Sequence, residues 1–162
     1  MSKTAGSPGC CYNVAFFCEI VVNAMHSLHS LKDFMLLCVC LFRLNNKSLY
    51  AVCHGLSDDE PHCVSFTDNE GNILSSFGGR HSGSGHEELN RPIHLAVDAE
   101  LGILFVLDSS NNAVKILRLS DVKLLDVFKH PEMHDPRRLS IDSSARHMAV
   151  ATEDGRVMLF SY

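Results

Sequence analysis

The chain has 162 residues, 46% of them hydrophobic, which is enough for a real core in one domain. Lys plus Arg number 14 against 19 Asp plus Glu, a net charge of −5, so composition excludes a strong electrostatic footprint for nucleic acid or an anionic membrane. The longest clean apolar run, FMLLCVCLF at 34–42, falls far short of the roughly 20 residues of a membrane-spanning helix.

At the N-terminus, Lys3 is followed by Gly6, Ser7, Pro8 and Gly9, a poor pattern for a signal peptide. Val14, Phe17, Val21, Met25 and Leu28 fall near helical spacing, and Ser30 with Asp33 resembles a capping box ahead of Leu31 to Leu41. Two helices are expected there. Residues 1–47 are read as an N-terminal segment, partly helical or poorly ordered, closed by polar Asn45, Asn46 and Lys47. The seven cysteines, Cys10, Cys11, Cys18, Cys38, Cys40, Cys53 and Cys63, are odd in number and irregular in spacing, which points to reduced thiols in a cytoplasmic protein.

From residue 48 onward the pattern turns to short β runs, and the runs repeat. Pro92 and Pro136, Leu95 and Leu139, Val97 and Ile141, Asp98 and Asp142, and Val106 and Val150 are each 44 residues apart. An earlier copy with longer loops aligns Leu49–Cys53 with Leu104–Asp108, His62–Phe66 with Asn112–Ile116, and Ile73–Phe77 with Leu124–Phe128. The most complete unit predicts four strands, Ile93–Val97, Ile103–Leu107, Ala113–Leu117 and Leu124–Phe128. Four antiparallel strands at a period of about 40 to 50 residues are what a β-propeller blade looks like in sequence. A blade is covered on both faces, so ILFVL at 103–107 is apolar at consecutive positions where a half-exposed strand would alternate. The stretches DAELG (98–102) and DNEGN (68–72) supply turn residues, and Asn111 with Asn112 suits positive φ.

An ordered set of motifs in these runs resembles the NHL repeat. It reads Phe77-Gly78-Gly79, SGSG at 82–85, Leu89-x-x-Pro92, Val97-Asp98, Leu107-Asp108, Asn111-Asn112 and Val114. The following copy departs from it, with Phe128-Lys129-His130, Thr152 in place of Asp, and EDG at 153–155. The fold expected is all-β: an incomplete NHL-type β-propeller of about two and a half four-stranded blades over residues 48–162, after the helical N-terminal segment. The resemblance is similarity to the C-terminal propellers of tripartite-motif ubiquitin ligases, and it implies a non-catalytic module that recognises a protein partner or substrate. Two alternatives come with it, an RNA-binding propeller and a zinc-dependent amidating-lyase-like enzyme. Cys10-Cys11, Cys38-x-Cys40, Cys53-His54 and His62-Cys63 do not have the ligand spacing of RING or B-box zinc modules, so ligase chemistry is not expected in this chain.

In an antiparallel blade, the loops after the second and fourth strands emerge at one end. The long loops here all belong to that end: 54–61, 78–91 and 129–138. Long loops on a rigid scaffold are where binding usually lies. The candidate partner-binding face is therefore Arg80, His81, His86, Glu87, Arg91, His134, Arg137 and Arg138. His86 and His130 each lie six residues before a repeat proline and are weak candidates for metal, but the series offers Phe42 rather than a third ligand. No cofactor is expected. Over 48–162 there are 10 Lys plus Arg and 17 Asp plus Glu, which argues against phosphate contacts and for a protein partner. Closed propellers need about four to eight blades, so the chain is expected to be a piece of a longer protein, to self-associate through exposed blade faces, or to cover one such face with its helical N-terminal region.

Overall fold

The computed structural model describes residues 38–44, 47–55 and 59–162. Over these residues three antiparallel sheets follow one another. The first contains β1 (Val39–Leu44), β2 (Lys47–His54), β3 (His62–Thr67) and β4 (Ile73–Gly79) in sequential order. The second contains β5 (Pro92–Asp98), β6 (Ile103–Asp108), β7 (Ala113–Arg118) and β8 (Leu124–Phe128), and the third β9 (Pro136–Asp142), β10 (His147–Thr152) and β11 (Val157–Ser161). The first strands lie side by side, β5 touching both β1 and β9. This is the arrangement of successive propeller-like blades.

The strands of the second sheet fall where the sequence places them. Leu104, Phe105, Val106 and Leu107 are all fully buried because β6 is covered on both faces. One face joins Leu95, Leu104, Val106 and Leu117 to Phe42, Ala51, Val64, Phe66 and Phe77 of the first sheet. The other joins Ala96, Phe105, Leu107 and Val114 to Leu139, Met148 and Val150 of the third. Each buried aliphatic or aromatic side chain contributes roughly 1.5–3 kcal/mol. The sheets are thus held mainly by their mutual faces.

Two readings of the first repeat are corrected. The first sheet is complete from Val39, so the β region starts before residue 48 and holds two four-stranded sheets and a three-stranded one. The end of the expected Leu31–Leu41 helix is instead strand β1, paired with β2 through Val39↔Val52 and Leu41↔Tyr50; the rest of that helix, the other one and Cys10, Cys11 and Cys18 lie outside the described residues. The β2 alignment also moves by one. Cys53 faces Val64 and Leu107 faces Val114, so with Val64 equivalent to Val114 the offset is 54 residues, not the 55 of a Leu49–Leu104 match. A one-residue slip in a strand exchanges its two faces, and apolarity on both faces removed the alternation that would have fixed it.

Candidate interaction face

The loops after the second and fourth strands do gather at one end of the sheets. Ser109 N–H donates to Arg91 O at 3.1 Å, and 44 residues later Glu153 N–H donates to Asp135 O at 3.0 Å. Arg91 and Asp135 both adopt positive φ, 56° and 44°. Asn112, at φ 48°, accepts the Asp135 N–H at 2.9 Å through Oδ1, tying the two loop systems together.

The 80–91 loop is fixed from below. Gly78, at φ 100°, crosses β3 so closely that a Cβ there would stand 2.9 Å from Cys63 Cα and collide with the His62 carbonyl. That is the physical reason for glycine after Phe77. Further along, Gly83 N–H donates to Leu89 O at 3.0 Å, Gly85 N–H to Glu88 Oε2 at 2.8 Å, and Arg91 N–H to the buried His62 Nδ1 at 3.0 Å. Leu89 is fully buried and anchors the loop's end.

Its centre is held by Lys115, a β7 residue only 2% exposed. The ammonium donates to Gly85 O at 2.8 Å, to His86 O at 3.2 Å and to Glu88 O, which uses its three donors, and it lies 3.8 Å from Asp108 Oδ2. Asp108 in turn accepts Asn90 N–H at 2.7 Å and Asn111 Nδ2–H at 2.8 Å. Asn111 also donates to Gly83 O at 2.8 Å. Burial pushes the Lys115 ammonium below its ordinary range against the attraction of Asp108, and pushes the Asp108 carboxyl above its own against Asn111, Asn90 and Lys115. A cleft of about 420 Å³ opens beside this cage, lined by Ser84, His86, Asn111, Lys115, Val127 and Lys129.

Of the expected binding residues, Arg80, His81, His86, Glu87 and His134 are exposed on these loops. Arg91 is half-buried and works through its backbone, while its Nε is buried without a partner among the described residues. Arg137 and Arg138 belong to β9 rather than to a loop, because β-pairing begins at Pro136. Arg137 pairs with Glu153. Arg138 sits on the first strands' row with Cys38 and His94, where burial, then the Arg138 charge, lowers the His94 pKa. Burial likewise raises the Cys38 thiol, opposed by Leu95 N–H and by Arg138.

His130 accepts Glu132 N–H through Nδ1 at 3.2 Å and packs its ring against Phe160 at 5.3 Å. Among the described residues no group of three or more His, Cys, Asp or Glu side chains is placed to hold a metal, and no helix is long and apolar enough to cross a membrane. Sequence reading passed over Lys115. A lone lysine inside AVKIL, buried between Val114 and Ile116, was its available signal.

No protein-family model and no curated protein matches the chain. Among solved structures it is similar to a protein described as exported from Bacteroides fragilis, at 15% identity and a TM-score of 0.49, over 79% of this chain and 38% of that one. It is also similar to a catalytically inactive virginiamycin B lyase from Staphylococcus aureus bound to quinupristin, at 11% identity and a TM-score of 0.41, over 78% of this chain and 46% of that one. The chain therefore spans less than half the length of either.

Proposed function

We propose that the chain is a non-catalytic protein-interaction module of NHL-repeat type, part of a β-propeller, whose recognition surface is the 80–91 loop with the adjoining 129–135 loop. The observation that carries this reading is the caged Lys115. Burying an ammonium costs several kcal/mol unless it is fully partnered, and here the whole expenditure goes into fixing a surface loop. A loop fixed in this way presents its side chains with little entropy left to lose on binding. Arg80, His81, His86, Glu87, His134 and the cleft-lining Lys129 offer donors and acceptors of both charges, which suits a polar segment of a partner protein, such as the substrate of a ubiquitin-ligase-like assembly. A reducing, cytoplasmic setting belongs to the same reading and is supported by the free thiols of Cys38, Cys40, Cys53 and Cys63; burial raises the Cys40 thiol pKa to about 11.

The test is site-specific photo-crosslinking in cells with a benzophenone side chain at His81 or His86, compared with one at Glu70, an exposed residue of the β3–β4 turn at the other end of the sheets. The reading expects discrete protein adducts from the two loop positions that Glu70 does not give. Equal adducts from all three positions, or none from the loop, would refute it.

A further inference from the structure

The repeat makes the chain's interior a guide to its exterior. Alternation along the third sheet sends Leu139, Met148 and Val150 towards the second sheet and Ser140, Ala149, Ala151, Val157 and Leu159 to the opposite face. Those positions correspond to Ala96, Phe105, Leu107, Val114 and Ile116 of the second sheet, which the third sheet covers. Val157 and Leu159 are instead 71% and 67% exposed.

A carboxylate shows what the covering surface should carry. Asp98 accepts Glu100 and Leu101 N–H through Oδ1, both at 3.0 Å, and its Oδ2 receives the Arg146 guanidinium and, at 3.0 Å, the Tyr162 hydroxyl from the third sheet. Asp142, 44 residues on, repeats the turn with Ser144 N–H at 3.0 Å and Ala145 N–H at 3.1 Å. Its Oδ2 has no hydrogen-bond partner among the described residues, and His147 is close enough to act on it electrostatically. By the repeat, the missing partner is a cation on the turn between the first two strands of another sheet.

This chain carries such a surface. On the face of the first sheet turned away from the second, alternation places Val39, Leu41, Tyr50 and Val52. Arg43 and Lys47 are exposed at the β1–β2 turn, where Arg146 stands in the third sheet. We infer that the Val157–Leu159 face docks on that face of the first sheet in a second copy of the chain, with Asp142 meeting Arg43 or Lys47. A two-fold axis then satisfies both surfaces of both copies. The three described sheets of each copy then form a ring of six, inside the range of about four to eight blades that propellers hold.

The experiment is light scattering after size exclusion on the full chain over a range of concentrations. The expected particle has twice the 17.9 kDa of one chain. Val157→Asp with Leu159→Asp, at positions the folded chain leaves exposed, yields the single-chain mass with an unchanged β-sheet circular dichroism spectrum. Asp142→Lys raises the dissociation constant at least tenfold, and adding Arg43→Glu and Lys47→Glu to it restores the pair. A single-chain mass at every concentration, which would assign the face to another protein, overturns the proposal. So do oligomers that grow without limit and a pair indifferent to Val157→Asp with Leu159→Asp.

Discussion

The 80–91 and 129–135 loops make the same connection in successive repeats, yet are held by opposite means. Beneath the first stand Asp108 and Lys115; at the equivalent places beneath the second stand Thr152 and Met158. Thr152 bonds only locally, to Asp154 Oδ1 at 2.5 Å and to Arg156 O at 3.3 Å, and the shorter loop closes on itself through a Met133 N–H bond to His130 O at 3.0 Å and the burial of Met133. The short loop is fixed by its own backbone turn, by Met133 in the core and by Asp135 N–H donating to Asn112 Oδ1. A long one needs donors and acceptors sent up from the sheet, and a buried ammonium supplies three at once.

The largest effect should come from making the first repeat like the second. Lys115→Met leaves three carbonyls without a donor and Asp108 a buried unpaired charge, so urea unfolding should show a loss of about 3–5 kcal/mol. Adding Asp108→Thr removes the stranded charge and should recover part of it. Gly78→Ala comes next, at about 1–3 kcal/mol for a strained φ and the clash with β3, whereas Lys129→Ala at the matching place in the second repeat should stay within about 0.5 kcal/mol.

Acid should act on the clasp between the second and third sheets. Burial alone would raise the Asp98 pKa, but Leu101 N–H, the Tyr162 hydroxyl and Arg146 outweigh it and hold the carboxyl below its ordinary 3.8. A folded-state pKa below the unfolded one stabilises above the unfolded value and is lost as pH falls through the folded one. Thermal unfolding followed by circular dichroism should therefore show this contribution intact above about pH 5 and fading below about pH 4, and Asp98→Asn should flatten that dependence. The smallest effect belongs to Arg137→Ala, whose partly exposed pair with Glu153 is worth about 0–1 kcal/mol in a melting experiment.

How much of this was legible in the sequence depended on which residues had a periodic signal. The 44-residue echo placed β5, β6, β9 and β10, because proline, the aliphatic-Asp turn and the buried Val recur where the backbone geometry recurs, and the match of Leu124–Phe128 to Ile73–Phe77 placed β8. Strand β1 was hidden since FMLLCVCLF is apolar at every position and so has no alternation to separate strand from helix. The exposed loop residues Arg80, His81, His86 and Glu87 followed from loop position alone. Lys115 was missed because its partners are backbone carbonyls some 27 to 30 residues away, and sequence does not mark a carbonyl.

The central claim is that Lys115 turns 80–91 into a fixed surface, and hydrogen exchange of that loop's amides tests it most directly. The structure predicts slow exchange at Gly83, Gly85 and Arg91, with Gly83 and Gly85 becoming fast in Lys115→Met while Met133 in the second loop keeps its wild-type rate. Fast exchange at Gly83 and Gly85 in the wild-type chain, or slow exchange there in Lys115→Met, would contradict it.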